Sequence, residues 1–406
     1  MLVLRRLFRN WEESDMVEWK KLEEIAKYRR GSFPQPYGKE EWYNGEGSMP
    51  FVQVADVEEN AMCLKETTKQ YISTLAMPMS VYVPQGSIVV TLQGSIGKVA
   101  ITQYESYVDR TLGIFTGFKI PINKKYFVYQ LQKIFSIKKE KARGGTIKTI
   151  TKEEFSKFEI PIPSKSEQER IVSILDTFTS SISNLKEQIK ERRKQYEYYR
   201  DQLLDFEGKD GVEMKTLGEV CEIRGRIGFR GYTREDQVQE GEGALSLSPG
   251  NIVNGKMEYT NSTYITWYKY EESPEIKIYN GDIIFCKTGS TVGKVSVVNN
   301  LPYKATINPQ LVVLKEITEN SKFLAYSLAT YKIQLLVKGL AGVGSVPNIS
   351  QAKLSEIKFP IPSKEEQLRI VTILNQFEAS IANLEAQLKE REKQYEYYRN
   401  QLLTFE

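Results

Sequence analysis

The chain has 406 residues, 40% of them hydrophobic and 11% aromatic, which is a globular composition long enough for two or three domains. It contains no histidine, which removes histidine-activated nucleophiles, histidine general bases and histidine-ligated metals, while a net charge of +4 is compatible with a polyanionic partner. Cys63, Cys221 and Cys286 lack the paired spacing of a zinc site or disulfide framework, no apolar run reaches membrane-span length, and Leu2-Val3-Leu4 is too short for a signal-peptide core. A reduced, cytoplasmic protein without membrane association is therefore expected.

Residues 1–16 match nothing later in the chain. A basic cluster, Arg29-Arg30-Gly31-Ser32-Phe33, precedes a Tyr-, Glu- and Asn-rich segment over 34–80. Runs at 86–92, 98–102 and 114–120 are β-branched and bounded by Gly, Pro or Asn, which predicts strands. Gly94-Ser95-Ile96-Gly97-Lys98 between the first two reads as a glycine-supplied turn. A helix is expected from Tyr126 to Lys138, then a basic glycine loop, Lys141-Ala142-Arg143-Gly144-Gly145-Thr146, and a lead from Ile150 to Pro161.

The run from Pro161 to Glu207 predicts one long helix. Pro-Ile-Pro makes the start sharp, Ser164 and Glu167 have capping-box spacing, and Gly208 is the expected stop. Within it Ile182, Leu185, Ile189, Arg192, Tyr196, Tyr199, Leu203 and Phe206 step alternately by three and four, the period of a coiled-coil seam. At 1.5 Å per residue such a helix is roughly 60 Å long.

The chain then repeats itself. Val212-Glu213-Met214-Lys215 and Leu217 answer Val17-Glu18-Trp19-Lys20 and Leu22, and Arg224-Gly225-Arg226-Ile227-Gly228-Phe229-Arg230 answers the first basic cluster. Residues 229–275 show almost no correspondence with 34–80. Strands are expected at 281–286, 294–298 and 311–314, a turn at Gly289-Ser290-Thr291-Val292-Gly293-Lys294, and a helix from Ser321 to Val337. The loop from Lys338 to Ser345 and the lead from Ile349 to Pro360 follow. From Pro360 to Glu406 the long helix returns with about 33 of 47 positions identical, its seam being Ile381, Leu384, Leu388, Arg391, Tyr395, Tyr398, Leu402 and Phe405. Neither seam can be buried alone, so the two helices are expected to pack on each other.

No catalytic constellation emerges. Gly289 to Lys294 lacks phosphate-loop spacing, and Val295 stands where Ser or Thr would bind magnesium. Asn308-Pro309-Gln310-Leu311 lacks the second proline and the aromatic of an adenine-methylation motif. The basic glycine-flanked clusters are the candidate DNA contacts, because arginine both clamps phosphate and reads guanine edges and glycine admits a close phosphate. They comprise Arg29, Arg30, Ser32, Arg143, Gly144, Gly145, Arg224, Arg226, Arg230, Lys338 and Ser345, with Lys98 and Lys294 as secondary phosphate contacts.

Two divergent globules, each ending in Pro-Ile-Pro and a Glu-Gln-x-x-Ile-Val helix start (Glu167-Gln168 to Ile171-Val172; Glu366-Gln367 to Ile370-Val371), resemble the specificity subunit of type I restriction-modification systems. The resemblance implies a mixed α/β (α+β) fold with a pseudo-two-fold internal repeat. Its parts would be target-recognition domains over 1–160 and 208–359 and an intramolecular antiparallel coiled coil from 161–207 and 360–406. It implies no cofactor and no catalysis in this chain. The expected partners are double-stranded DNA, two methyltransferase (modification) subunits and ATP-dependent translocase/nuclease (restriction) subunits, with docking sought at Lys190, Arg193, Lys389 and Glu392. A coiled-coil adaptor without DNA recognition is the alternative.

Overall fold

The computed structural model describes residues 17–405 except 60, 142–149, 227–231, 261, 343 and 345. The described chain divides into two compact units, 1–184 with 388–406, and 185–387, so each holds one globule and part of both long helices.

In the first unit β1 (Glu18–Lys21), α1 (Leu22–Ile25) and β2 (Ala26–Arg30) lead into β3 (Met49–Val52), β4 (Gln70–Ile72), β5 (Val81–Val83), β6 (Ile88–Thr91), β7 (Val99–Ile101), β8 (Ser106–Val108) and β9 (Leu112–Phe118). Then come α2 (Lys124–Lys141), α3 (Lys152–Ser156), β10 (Glu159–Ile162) and the long α4 (Lys165–Leu203). One antiparallel sheet has the order β2-β9-β6-β7; a second, β4-β3-β8-β5, contains a parallel β3–β8 pair. The Ile88-Val89-Val90 run of β6 is apolar because both faces of its sheet are covered: Ile88 and Val90 pack toward α2 with Phe127, Leu131 and Phe135, while Val89 packs toward the second sheet with Val52, Val83 and Val108.

The second unit rebuilds this frame with β11 (Glu213–Thr216), α5 (Leu217–Val220), β12 (Glu222–Arg224), β13 (Gln237–Val238), β14 (Ala244–Leu247), β15 (Ile252–Val253), β16 (Lys256–Met257), β17 (Thr263–Ile265), α6 (Trp267–Glu271), β18 (Ile283–Cys286), β19 (Val295–Val297), β20 (Ala305–Ile307) and β21 (Leu311–Lys315). There follow α7 (Ser321–Ala329), α8 (Tyr331–Ala341), α9 (Gln351–Ser355), β22 (Lys358–Ile361) and the long α10 (Lys364–Leu403). Sheets β12-β21-β18-β19 and β13-β17-β14-β20 repeat the arrangement, again with one parallel pair, β14–β20. Segments 34–80 and 229–275, which show no correspondence as sequence, therefore share a frame: β4-β3-β8 answers β17-β14-β20, and the β5–β8 pairing is answered by an Ile278–Ala305 bridge. Alternating side chains, not particular residues, hold this sheet, so sequence identity decayed while register survived.

Two further expectations are corrected. The helix expected over Ser321–Val337 breaks at Thr330, whose extended backbone (φ −62°, ψ 149°) separates α7 from α8. The first long helix ends at Leu203, before Gly208, which has φ +74° in the following turn.

The helix starts are tied down by side chains. Ser164 and Ser363 accept from the Glu167 and Glu366 amides at 3.3 and 3.2 Å, but the two glutamates pair with Arg170 and Arg369 instead of reaching back, so each capping box is only half made. The buried Gln168 amide donates to the Pro163 carbonyl at 2.9 Å and accepts from the Asn123 amide at 2.9 Å, locking α4 to α2. Gln367 does the same with Pro362 (3.0 Å) and Asn320 (3.1 Å). The Gln of each Glu-Gln pair is thus a buried bracket whose polar atoms are satisfied on both sides.

Within each unit the long helices run antiparallel. In the first, the Phe178 ring lies 5.3 Å from that of Tyr398; in the second, Tyr199 stacks on Phe377 at 5.4 Å. Arg391 covers Phe178 at 5.6 Å and Arg192 covers Phe377 at 5.9 Å, which accounts for an arginine at a seam position. Ile189, Ile381 and Leu402 are buried, and Ile182, Leu185, Tyr196, Leu203, Leu384, Leu388, Tyr395 and Tyr398 are half-buried, whereas Tyr199 remains 46% exposed.

Candidate nucleic-acid interface

At one end of each globule four segments distant in sequence meet. In the first, β2 delivers Arg29 and Arg30, both exposed, to the point where the β6–β7 turn and the β8–β9 turn come together. The Leu92 amide donates to the Thr111 carbonyl at 2.9 Å, and the Ile150 amide, just after the glycine loop, donates to the Leu92 carbonyl at 3.4 Å. Arg30 reaches the Ile150 carbonyl at 3.3 Å. Gly31 is needed here, since a Cβ would lie 2.2 Å from the Val108 carbonyl oxygen. In the β8–β9 turn, buried Asp109 accepts from the Thr111 amide (2.8 Å) and the Tyr37 hydroxyl (2.6 Å), while exposed Arg110 lies over the Tyr37 ring at 4.9 Å.

The second globule builds the same junction from different side chains. The Lys287 amide donates to the Gln310 carbonyl at 2.9 Å, and the Ile349 amide donates to the Lys287 carbonyl at 2.9 Å. Asn308 replaces Asp109, its side-chain oxygen accepting from the Gln310 amide at 3.0 Å, and Pro309 stands where the first globule has Arg110. The Gly289 amide donates to the Pro347 carbonyl at 2.8 Å, and the Thr288 hydroxyl donates to the Asn348 side chain at 2.6 Å, fastening the segment after the second glycine loop to the β18–β19 turn.

The sequence-derived candidates divide accordingly. Arg29 and Arg224 occupy equivalent exposed positions; Arg224 pairs with Glu222 at 2.6 Å, and Arg29 bonds the adjacent Arg30 carbonyl at 3.4 Å. Arg226 turns into its globule, where its Nε bonds the Ile307 carbonyl at 3.0 Å and its guanidinium lies over Tyr232 at 5.4 Å. Burial shifts its pKa downward, as desolvation of a cation must. The Ser32 hydroxyl donates to the Met79 carbonyl at 2.9 Å. Lys338 is exposed on α8 beside exposed Leu335 and Leu336. Arg143, Gly144, Gly145, Arg230 and Ser345 lie outside the described residues.

Lys98 and Lys294, expected as phosphate contacts, are instead internal ties. Lys98 Nζ bonds the Val57 carbonyl at 3.2 Å; Lys294 Nζ bonds the Ile252 carbonyl at 3.0 Å and the Pro249 carbonyl at 3.4 Å. Each binds the carbonyl end of a short 3-10 turn in the second sheet to the glycine turn of the first, and Gly97, at φ +83° and against Phe135, lets that turn close. Their ammonium groups are engaged by these carbonyls. Arg193, expected on an outward docking face, bonds Glu385 at 2.6 Å and the Asn254 side chain at 3.3 Å.

Sequence reasoning missed Arg110 and the exposed aromatic cluster of Trp267, Tyr268 and Tyr303, where Lys304 lies over Trp267 at 5.7 Å. The Tyr-rich composition of residues 229–275 was the only signal for Trp267 and Tyr268. No helix among the described residues is long and apolar enough to cross a membrane.

A family model, the type I restriction modification DNA specificity domain, matches residues 15–192 and again 209–393. The EcoR124I/EcoR124II type I restriction enzyme specificity subunit of Escherichia coli is 33% identical over 266 residues, covering 62% of this chain and 64% of that subunit. The EcoprrI specificity subunit, also of Escherichia coli, is 26% identical over 382 residues, or 89% and 88% of the two chains. In fold, the crystal structure of a type I restriction-modification S subunit from M. genitalium covers 97% of this chain and 98% of its own, with a TM-score of 0.54 at 16% identity.

Proposed function

Because the chain belongs to the type I restriction modification DNA specificity family, matched in both of its halves, we propose that each globule reads one half of a bipartite double-stranded DNA target. The observation that carries this is the junction at the end of each globule, built twice on one hydrogen-bonded frame yet presenting different side chains. A shared frame positions phosphate-contacting groups in the same way on both halves; divergent side chains then read different base edges. Arg29, Arg30 and Arg110 supply the first half, and Arg224, Lys338 and the loop around Thr288 the second. The exposed aromatics beside Lys304 lie at the other end of β20 from that junction and are not assigned to it.

The proposed reading domains run through β10 at Ile162 and β22 at Ile361, slightly beyond the boundaries expected from sequence. The helices are the proposed spacer and offer two repeat-equivalent docks for methyltransferase subunits, one marked by exposed Lys190 and the other by exposed Lys389. Catalysis in this reading belongs to those subunits and to ATP-dependent restriction subunits; the chain itself contributes recognition only.

The test is selection from random duplexes by the full chain with its modification subunits, followed by sequencing. A split motif with a fixed gap is expected. Recovery of one continuous motif, or no enrichment at moderate salt where nonspecific binding is suppressed, overturns the reading.

A further inference from the structure

From residue 183 to 200 the first long helix differs from its repeat, 382 to 399, at few positions: Ser183 against Ala382, Lys186 against Glu385, Glu187 against Ala386, Ile189 against Leu388 and Arg193 against Glu392. Two of these are full reversals of charge. They are not independent, because within the second unit Arg193 and Glu385 form an ion pair of 2.6 Å. Exchanging each partner for its repeat equivalent turns that pair into Glu392 and Lys186, again one cation and one anion.

Apart from Ile189 against Leu388, both aliphatic, the named seam residues do not distinguish one helix from the other. Phe178 and Phe377, Tyr196 and Tyr395, Tyr199 and Tyr398, and Arg192 and Arg391 are identical, and the stacking of Tyr199 on Phe377 is the repeat image of Phe178 against Tyr398. A first helix placed against the first helix of a second copy in the observed register would keep every one of those ring contacts. It would, however, put Arg193 against Lys186 twice; second helix against second helix would put Glu392 against Glu385 twice. Only unlike helices bring opposite charges together, as Arg193 and Glu385 do within the second unit. Charged flanking positions are the usual means by which coiled coils choose partner and orientation.

We propose that the reversed charges at 186, 193, 385 and 392 are an address that makes the first long helix take the second as its partner and refuse a second copy of itself. The aromatic seam supplies adhesion without selectivity, and these four residues supply selectivity. A single exposed pair is weak, but replacing that attraction by a repulsion made twice shifts the preference by on the order of tenfold.

The experiment uses full-length chains. One variant carries Lys186→Glu and Arg193→Glu, making all four positions acidic; a second carries Glu385→Lys and Glu392→Arg, making all four basic; a third carries all four changes. Tagged and untagged chains are unfolded together, refolded and captured by the tag, with thermal unfolding measured alongside. The acidic and basic variants are expected to melt a few degrees below the parent, to ignore copies of themselves and to capture each other. The fourfold variant is expected to regain the parent's melting temperature and its indifference to other copies. Equal melting of all four proteins, self-capture by the parent, failure of the acidic and basic variants to capture each other, or failure of the fourfold variant to recover would each overturn the proposal.

Discussion

The two globules differ most where they are most alike in plan. Beneath the second sheet, buried Asp56 accepts from the Gln53 and Lys69 amides at 2.8 Å each, whereas buried Asn251 accepts from the Ser248 amide at 2.8 Å and donates to the Glu258 carbonyl and the Ser262 hydroxyl. At the junction, Asp109-Arg110-Thr111 is answered by Asn308-Pro309-Gln310. Where α2 and α7 meet the long helices, Asp176 receives Lys125 at 2.5 Å and Asn375 receives Lys322 at 2.7 Å. In each case one accepting hydrogen bond is kept and the charge is changed. The frame therefore keeps an acceptor at each of these places, and leaves formal charge, added donors and side-chain reach free to diverge.

The comparison breaks most visibly in the cores. Phe285 stands at the position of Val90, both fully buried. Phe285→Ala is expected to cost about 3–5 kcal/mol and Val90→Ala distinctly less, because the larger truncation leaves the larger cavity. Calorimetry of the two variants measures the difference.

The glutamine brackets sharpen the comparison. Gln168→Ala and Gln367→Ala each leave a helix-start carbonyl and an N-cap amide without their partner, at a cost of about 1–3 kcal/mol apiece. Near-equal losses in urea unfolding are expected, and a large loss in one half alone would mean that the halves are not supported alike.

Alkaline pH acts on both halves together. Burial raises the phenol pKa of Tyr126 and Tyr129 in one unit and of Tyr196 and Tyr326 in the other above the ordinary value of 10. Their contribution is complete below about pH 10, where the unfolded chain also keeps its phenols protonated, and is lost as pH rises beyond it. Stability measured from pH 8 to 11 is expected to hold and then fall. The smallest effect is Asp176→Asn, which gives the first half the neutral acceptor of the second. With Lys125 half exposed, it is expected to change stability by less than about 1 kcal/mol and to remove a salt-dependent component of thermal unfolding.

Much of this was legible in the chain. The repeat, the strand runs around Val89 and Ile284 and the three-four seam are local periodicities, and local periodicity survives without knowledge of contacts. The parallel pairings Phe51–Tyr107 and Leu245–Ala305 join segments more than fifty residues apart through backbone alone, so no side-chain pattern announced that 34–80 and 229–275 share a sheet. The direction of a lysine side chain was equally hidden. Lys98 and Lys294 follow glycine turns as a phosphate ligand would, and only the position of the Val57 and Ile252 carbonyls explains why they point inward. Arg110 lacked a glycine neighbour, and its placement over Tyr37 depends on the fold of a segment that sequence left blank.

The central claim, that each globule reads its own half of one target, is tested most directly by repeating the random-duplex selection with Arg110→Ala in the first globule and, separately, Lys338→Ala in the second. The account predicts that each variant weakens or relaxes enrichment in one half of the motif, a different half for each, while the other half and the gap stay as they were. If either variant altered both halves alike, or if both altered the same half, the division of labour between the globules would be contradicted.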